Sequence, residues 1–182
     1  MKNDYITQIH KKDKLLVHPY EDFETRGSYD RKLILKSDNI YLYDEDGKKY
    51  IDGPGGMWNN NIGHGNTEIG EAVKDQISKM EYCSPFTEST EPAAELASVL
   101  SEISPGDLNS IFFTTDGSTA NDTALRFVMF YNNVLGRPNK KHIITRDRAY
   151  HGSTYLTASL NGKDREKNKF DFEKNFIHHL SS

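Results

Sequence analysis

The sequence predicts an α/β protein in which an antiparallel segment precedes the start of a mostly parallel sheet. Three observations carry this. Short β-rich runs between Leu33 and Asp52 are joined by an Asp46-Gly47 turn, the pattern of an antiparallel meander. A Gly-rich stretch, Gly53 to Gly65, then changes the texture of the chain. Beyond it, helix-type and strand-type segments alternate, which predicts crossover connections and parallel pairing.

Each element follows from its residues. Ile6, Ile9, Leu15 and Leu16 sit at loosely helical spacing and predict a short helix within residues 1–18, followed by an irregular stretch through His18-Pro19-Tyr20. Leu33-Ile34-Leu35, Ile40-Tyr41-Leu42-Tyr43 and Lys48 to Asp52 are the strands of the meander. Asp46 and Gly47 both tolerate positive φ, so they suit the tight turn. The segment 53–65 reads GPGGMWNNNIGHG, with five glycines in thirteen residues, which argues against a regular helix or central strand. Ile69, Val73, Ile77 and Met80 mark one face of a helix from Thr67 to Met80. After Ser84-Pro85, a second helix is predicted from Pro92 to Ile103, stopped by Pro105-Gly106. Ile111 to Thr114 reads as a short buried strand, and Thr119 to Leu135 as a long helix closed by Gly136 and Pro138. His142 to Thr145 is the next strand and Gly152 to Leu160 a further helix. The run Lys163-Asp164-Arg165-Glu166-Lys167 opens a charged, loose tail.

The 182 residues suit one domain, or one and a fraction, and are enough for a core. With 23 Lys+Arg against 27 Asp+Glu, the net charge of -4 provides no field to gather nucleic acid. Cys83 is the single cysteine, so no internal disulfide forms. The longest apolar run, Phe127 to Tyr131, is far below the roughly 20 residues of a membrane span. The polar start, Lys2-Asn3-Asp4, lacks a signal-peptide pattern, and a cytoplasmic location is expected. No histidine or carboxylate set has metal-ligand spacing, since His178 and His179 are neighbours rather than i, i+4, so no metal is expected.

Three places can carry chemistry. Asp116-Gly117-Ser118-Thr119-Ala120-Asn121 opens a helix after a strand, where free amides and the positive dipole end suit a phosphate; a plain N-cap fits the same residues. Tyr150-His151-Gly152 follows a strand, where open α/β sheets bind ligands and an aromatic ring can stack on a planar group; a turn with a half-buried tyrosine is the alternative. Trp58, the chain's one tryptophan, lies in the Gly-rich loop and either walls a small-molecule pocket or anchors the loop. Neither a Walker loop nor a dinucleotide fingerprint occurs: Trp58 and Glu68 stand where a third glycine belongs.

In order and spacing these motifs resemble the class III aminotransferases, the ω-type branch of pyridoxal-phosphate enzymes. The resemblance runs from Ile40–Asp44 and Tyr50–Asp52 through Gly56-Met57-Trp58 and Ile62–Gly65 to Phe112–Arg126, Gly136-Arg137-Pro138 and Tyr150–Thr154. It implies fold type I, present here incompletely: residues 1–65 as an N-terminal segment of helix, hairpin and pocket loop, and 66–182 as the start of the large cofactor-binding domain. It implies pyridoxal 5'-phosphate held by Gly117, Ser118 and Thr119, with Tyr150 stacked on its ring. Trp58 and Phe86 would line the substrate pocket, Phe86 across a homodimer interface. The implied partners are an amino donor and a 2-oxo acid acceptor. Many members have Ser or Asn and Glu where this chain has Asp116 and Thr119, so Asp116 sets a like charge beside the phosphate unless its carboxylate turns away.

The family also needs a lysine that forms a Schiff base and a carboxylate against the pyridine nitrogen. Lys163, Lys167, Lys169 and Lys174 lack the strand-and-loop context of that lysine, so no catalytic residue is expected in these 182 residues, and the chain alone is expected to be inactive. Two other readings stay open: a non-catalytic remnant that binds phosphate or dimerises, and an aminomutase of the same fold.

Overall fold

The computed structural model describes residues 2–164 and 167–181, in two compact units, Met1–Glu88 and Ser89–Ser182. Arg165 and Glu166 of the charged tail lie outside the described residues.

The first unit opens with α1 (Lys2–Asp13), whose last turn carries His10, Lys11 and Lys12 at the negative end of the helix dipole. The predicted meander is present. β1 (Ile34–Asp38), β2 (Tyr41–Asp44) and β3 (Lys49–Ile51) form an antiparallel sheet in that order, with Leu42 opposite Tyr50. Its turn is held from inside. The Asp44 carboxylate, 7% exposed, accepts from the Tyr50 hydroxyl at 2.8 Å and from the Lys48 and Asp46 N–H groups at 2.8 and 3.1 Å. Burial pushes this carboxyl up, but those donors outweigh it and hold it below the usual aspartate range. Gly47 takes φ +80°, as the Asp-Gly pair predicts. Within the Gly-rich segment lies a single turn, α2 (Gly55–Trp58), and after it comes α3 (Thr67–Lys79), capped by Asn66, whose Oδ1 accepts from the Ile69 N–H at 3.0 Å.

The second unit contains α4 (Glu91–Ile103), α5 (Gly117–Val134), β4 (Ile143–Arg146), α6 (Tyr155–Leu160) and β5 (Ile177–Leu180). β4 and β5 pair in parallel, Ile143 opposite Ile177, with α6 between them in the chain; parallel pairing is found as expected, but through β5 rather than through the predicted strand at Ile111–Thr114. Three expectations are corrected. Ile111–Thr114 forms no strand among the described residues, because no described segment pairs with it and a strand is defined by its hydrogen-bonded neighbour. The tail read as loose contributes β5. α6 starts at Tyr155 rather than Gly152, because Gly152 has φ +144°, outside the helical range, and its carbonyl accepts from Asn161 Nδ2 at 2.9 Å.

The buried centre of this unit is small and largely polar. Leu160 and Ile177 are its buried hydrophobic residues, beside Thr145, Thr157, Ser159 and Asn161. Each of these four polar side chains has a partner. Thr145 Oγ1 donates to the Leu160 carbonyl at 3.0 Å, and Ser159 Oγ donates to the Tyr155 carbonyl at 2.6 Å while accepting from the Glu173 N–H at 3.0 Å. Asn161 binds the β4–α6 loop at two points: its Oδ1 accepts from the His151 N–H at 2.6 Å, and its amide nitrogen donates to Gly152 O. The same loop lies on the start of α5. A Cβ on Gly152 would fall 2.6 Å from Ser118 Oγ and 2.5 Å from Thr157 Oγ1, so no side chain fits there.

The apolar stripe read from the sequence for α3 is exposed among the described residues, and so are large apolar side chains of α5. Ile69, Val73 and Ile77 of α3 are each more than half exposed, as are Phe127, Phe130, Tyr131 and Val134 of α5. β4 and β5 each retain an open edge among the described residues. Apolar faces of this extent drive association.

Two predictions follow from this packing. The 182-residue chain should elute as concentration-dependent oligomers in size-exclusion chromatography with light scattering; a monodisperse monomer that melts cooperatively would contradict it. Gly152→Ala should destabilise the second unit by about 1–3 kcal/mol in urea unfolding, since the new methyl overpacks against Ser118 and Thr157; an unchanged midpoint would show that the contact is soft.

Candidate functional site

The turn leads into a helix, as the sequence predicts, but α5 begins at Gly117 rather than Thr119 and no strand leads directly into it among the described residues. Asp116 is its N-cap, with Oδ1 accepting from the Thr119 N–H at 2.9 Å, and Thr119 Oγ1 in turn accepts from the Asp116 N–H at 3.2 Å. This reciprocal box satisfies amides that the helix ladder cannot reach. The second Asp116 oxygen, Oδ2, accepts from the Thr115 hydroxyl at 3.1 Å. The Thr119 N–H, with burial opposing, is the chief reason the Asp116 carboxyl stays below its ordinary range. The carboxylate is thus turned into the first helical turn. Thr119 is taken up in that box, while Gly117 and Ser118 contribute first-turn amides beyond the reach of the ladder.

Ser118 joins this turn to the next loop. Its Oγ accepts from the Ser153 N–H at 3.1 Å, which leaves the hydroxyl proton free to be donated elsewhere. One turn further on, Asn121 Nδ2 donates to the His151 carbonyl at 2.8 Å. Gly117 faces open space, with no atom within 4 Å of where its Cβ would stand. The Ser118 amide is turned toward the Asp116 carboxylate, so the donor set consists of the Gly117 amide, the Ser118 hydroxyl and a helix N-terminus, with room for a ligand in front of Gly117. It fits a phosphate.

Tyr150 stands on the loop so fixed, with its ring 56% exposed. His151, beside it, does not face outward. Its Nε2 meets Thr145 Oγ1 at 3.0 Å, so the ring props the loop against β4. The structure thus brings Gly117, Ser118 and the Tyr150 loop together within the second unit. Asn161, Asn121 and Thr145, which do the holding, were not singled out from the sequence. Only the Asn161-Gly162 pair signalled anything there, namely the end of a helix. Gly162 is itself confined, since a Cβ would strike Arg148 N and Arg146 O.

Of the tail lysines, Lys167 is half-buried. Its Nζ meets the Ser159 carbonyl at 3.3 Å and His179 Nε2 at 3.2 Å, and burial pushes its ammonium below the usual lysine range. These contacts tie the tail to the end of α6. Among the described residues, no group of three or more metal-ligating side chains converges.

Trp58 and Phe86 belong to the first unit, 79% and 94% exposed. Trp58 closes a turn of unusual hand. Gly55, Gly56, Met57 and Trp58 have φ +55°, +61°, +61° and +67°, and the Trp58 and Asn59 N–H groups bond back to the Pro54 and Gly55 carbonyls at 2.9 and 3.0 Å. Glycine takes this left-handed conformation freely, whereas Met57 and Trp58 each carry about 1–2 kcal/mol of strain in it. Strain of this kind collects at functional sites.

The chain has relatives in sequence and in structure. The family model for class-III aminotransferases matches residues 26–181. A probable mitochondrial gamma-aminobutyrate transaminase 3 of Oryza sativa subsp. indica is 41% identical over 149 residues, which is 81% of this chain and 29% of the relative's own length. A transaminase from the marine bacterium Virgibacillus superposes with a TM-score of 0.92 at 35% identity, over 96% of this chain and 40% of that one. The omega transaminase of Pseudomonas jessenii, solved in complex with PMP, gives a TM-score of 0.92 at 34% identity, over 96% and 39%. The chain therefore spans less than half the length of these relatives. It belongs to the class III aminotransferases, fold-type-I enzymes that work with pyridoxal phosphate.

Proposed function

We propose that this chain is the N-terminal portion of a transaminase that moves an amino group between an amine or amino acid and a 2-oxo acid. We propose further that it supplies the phosphate end of the cofactor site. The observation that carries the reading is the joint of Ser118 with Ser153 beside Gly152, because it sets the Gly117 and Ser118 donors next to the loop that bears Tyr150.

The roles follow from the donors. The Gly117 amide and the Ser118 hydroxyl would hold the phosphate, helped by the positive end of α5. Asp116, ionised at neutral pH, keeps both its oxygens on Thr119 and Thr115 and so limits its repulsion of that phosphate. Tyr150 lies against the planar ring, where an exposed aromatic face offers a stacking surface. When bound, pyridoxal phosphate supplies the electron sink that amino-group transfer requires. Trp58 and Phe86 are proposed as apolar walls for the substrate, and their near-complete exposure suits side chains that meet something beyond their own unit. The reacting lysine and the carboxylate for the pyridine nitrogen are not among these residues, and the working enzyme is proposed to be a homodimer.

Binding of pyridoxal phosphate and of pyridoxal, measured by equilibrium dialysis, tests the phosphate site. The phosphorylated form should bind at least about tenfold more tightly, and Ser118→Ala should remove most of that difference. A purely structural loss would weaken both forms alike, and equal affinities in the unaltered chain would overturn the reading. Borohydride treatment should leave no cofactor on any lysine of this chain; a labelled lysine within residues 1–182 would contradict the assignment of the reacting lysine elsewhere.

A further inference from the structure

The Gly-rich segment leaves the first unit and rejoins it at one place. Asn39 and His64 pair through their backbones, the Asn39 N–H to the His64 carbonyl at 3.1 Å and the His64 N–H to the Asn39 carbonyl at 2.7 Å. The Asp52 N–H bonds the next carbonyl, Ile40, at 2.9 Å. Both ends of the loop are therefore fastened to the turn between β1 and β2. A loop with its ends together over this length is of the Ω type, compact and commonly functional.

The side chains close the neck further. Asp52 Oδ2 receives His64 Nε2 at 2.9 Å and the Gly56 N–H at 3.0 Å. The pair is sheltered, with side chains 9% and 22% exposed. The His64 ring, with burial opposing and the Gly56 amide helping, is what holds the Asp52 carboxyl below its ordinary range. Gly63 cannot take a side chain there, since its φ is +83° and a Cβ would lie 2.7 Å from Asn39 Oδ1. The far part of the loop is different in kind. Met57 and Trp58 are 69% and 79% exposed, so packing does not hold them in their left-handed turn. The Gly56 amide, bound by Asp52, is the side-chain anchor at the start of that turn.

We propose that Asp52 and His64 form a clasp that keeps the left-handed turn wound and so fixes the direction in which Trp58 projects. They are positioning residues for Trp58, and neither touches it directly. His64 orients the Asp52 carboxylate, the carboxylate holds the Gly56 amide, and the turn that follows sets the indole. The clasp gives substrate selection a rigid wall rather than a swinging one. That last step rests on Trp58 being a substrate-pocket side chain; the geometry of the clasp does not.

Trp58 is the only tryptophan, so its fluorescence reports this loop alone. In His64→Ala and Asp52→Ala, Trp58 anisotropy should fall and amide exchange at Gly56 and Trp58 should rise at least about tenfold, with β2 and α3 unchanged. His64→Gln, whose amide nitrogen can still donate to Asp52, should restore slow exchange. Exchange and anisotropy that stay at the parent's values in both alanine variants would overturn the clasp, as would equal acceleration in β2 and α3. Titrating the unaltered chain with an aromatic amine separates the two readings. Variants that loosen as expected, with no response of Trp58 to the amine, would uphold the clasp and remove the pocket role.

Discussion

The second unit depends on one position that cannot hold a side chain. Gly152 lies against Ser118 and Thr157, and any larger residue would push the loop away from the start of α5. Because the loop can sit there, Ser118 Oγ reaches the Ser153 N–H and Asn121 reaches the His151 carbonyl. Asn161, buried to 3% exposure, holds the same loop from behind through both ends of its amide. The helix start and the tyrosine loop are thereby set as one piece, although 30 to 35 residues separate them in the chain.

Electrostatics at this piece are balanced rather than simply positive. A helix N-terminus attracts an anion, and Asp116 places a negative charge at the same end. The conflict is eased by where that charge is directed. The carboxylate takes the Thr119 amide and the Thr115 hydroxyl and also draws on the Ser118 amide, so the Gly117 amide and the Ser118 hydroxyl are what the helix start offers another anion. The first unit uses the same device elsewhere. Asp44 and Asp52 are both sheltered carboxylates that gather several donors, one to hold a hairpin turn and one to hold a loop neck.

Much of this was legible in the sequence because it is local. Asp46-Gly47 and the Pro92 first turn each depend on neighbours within four residues and are found as expected; the helix after Asp116 was also legible, although it starts at Gly117 and takes Asp116 as its cap. What was hidden depends on distant partners. β5 escaped because His178 meets His142, His179 meets Lys167, and only Ile177 of the strand is buried, so its run carries little strand signal. Ile111–Thr114 looked like a strand by composition, but composition cannot supply the neighbour a ladder requires. The Asn161 staple and the Asp52–His64 pair join residues ten or twelve positions apart across loops, and neither spacing has a helical or strand period. The left-handed turn at Met57 and Trp58 runs against the preference of both residues, so no propensity could have shown it.

The central claim is that the start of α5 receives the cofactor phosphate while Tyr150 meets its ring. Amide chemical shifts of the labelled chain, followed during titration with pyridoxamine phosphate and separately with pyridoxamine, test it most directly. The account predicts that the phosphorylated compound moves the Gly117 and Ser118 amides strongly, and that only the Tyr150 region responds to both. Shifts that are the same for the two compounds, or that leave Gly117 and Ser118 untouched, would contradict it.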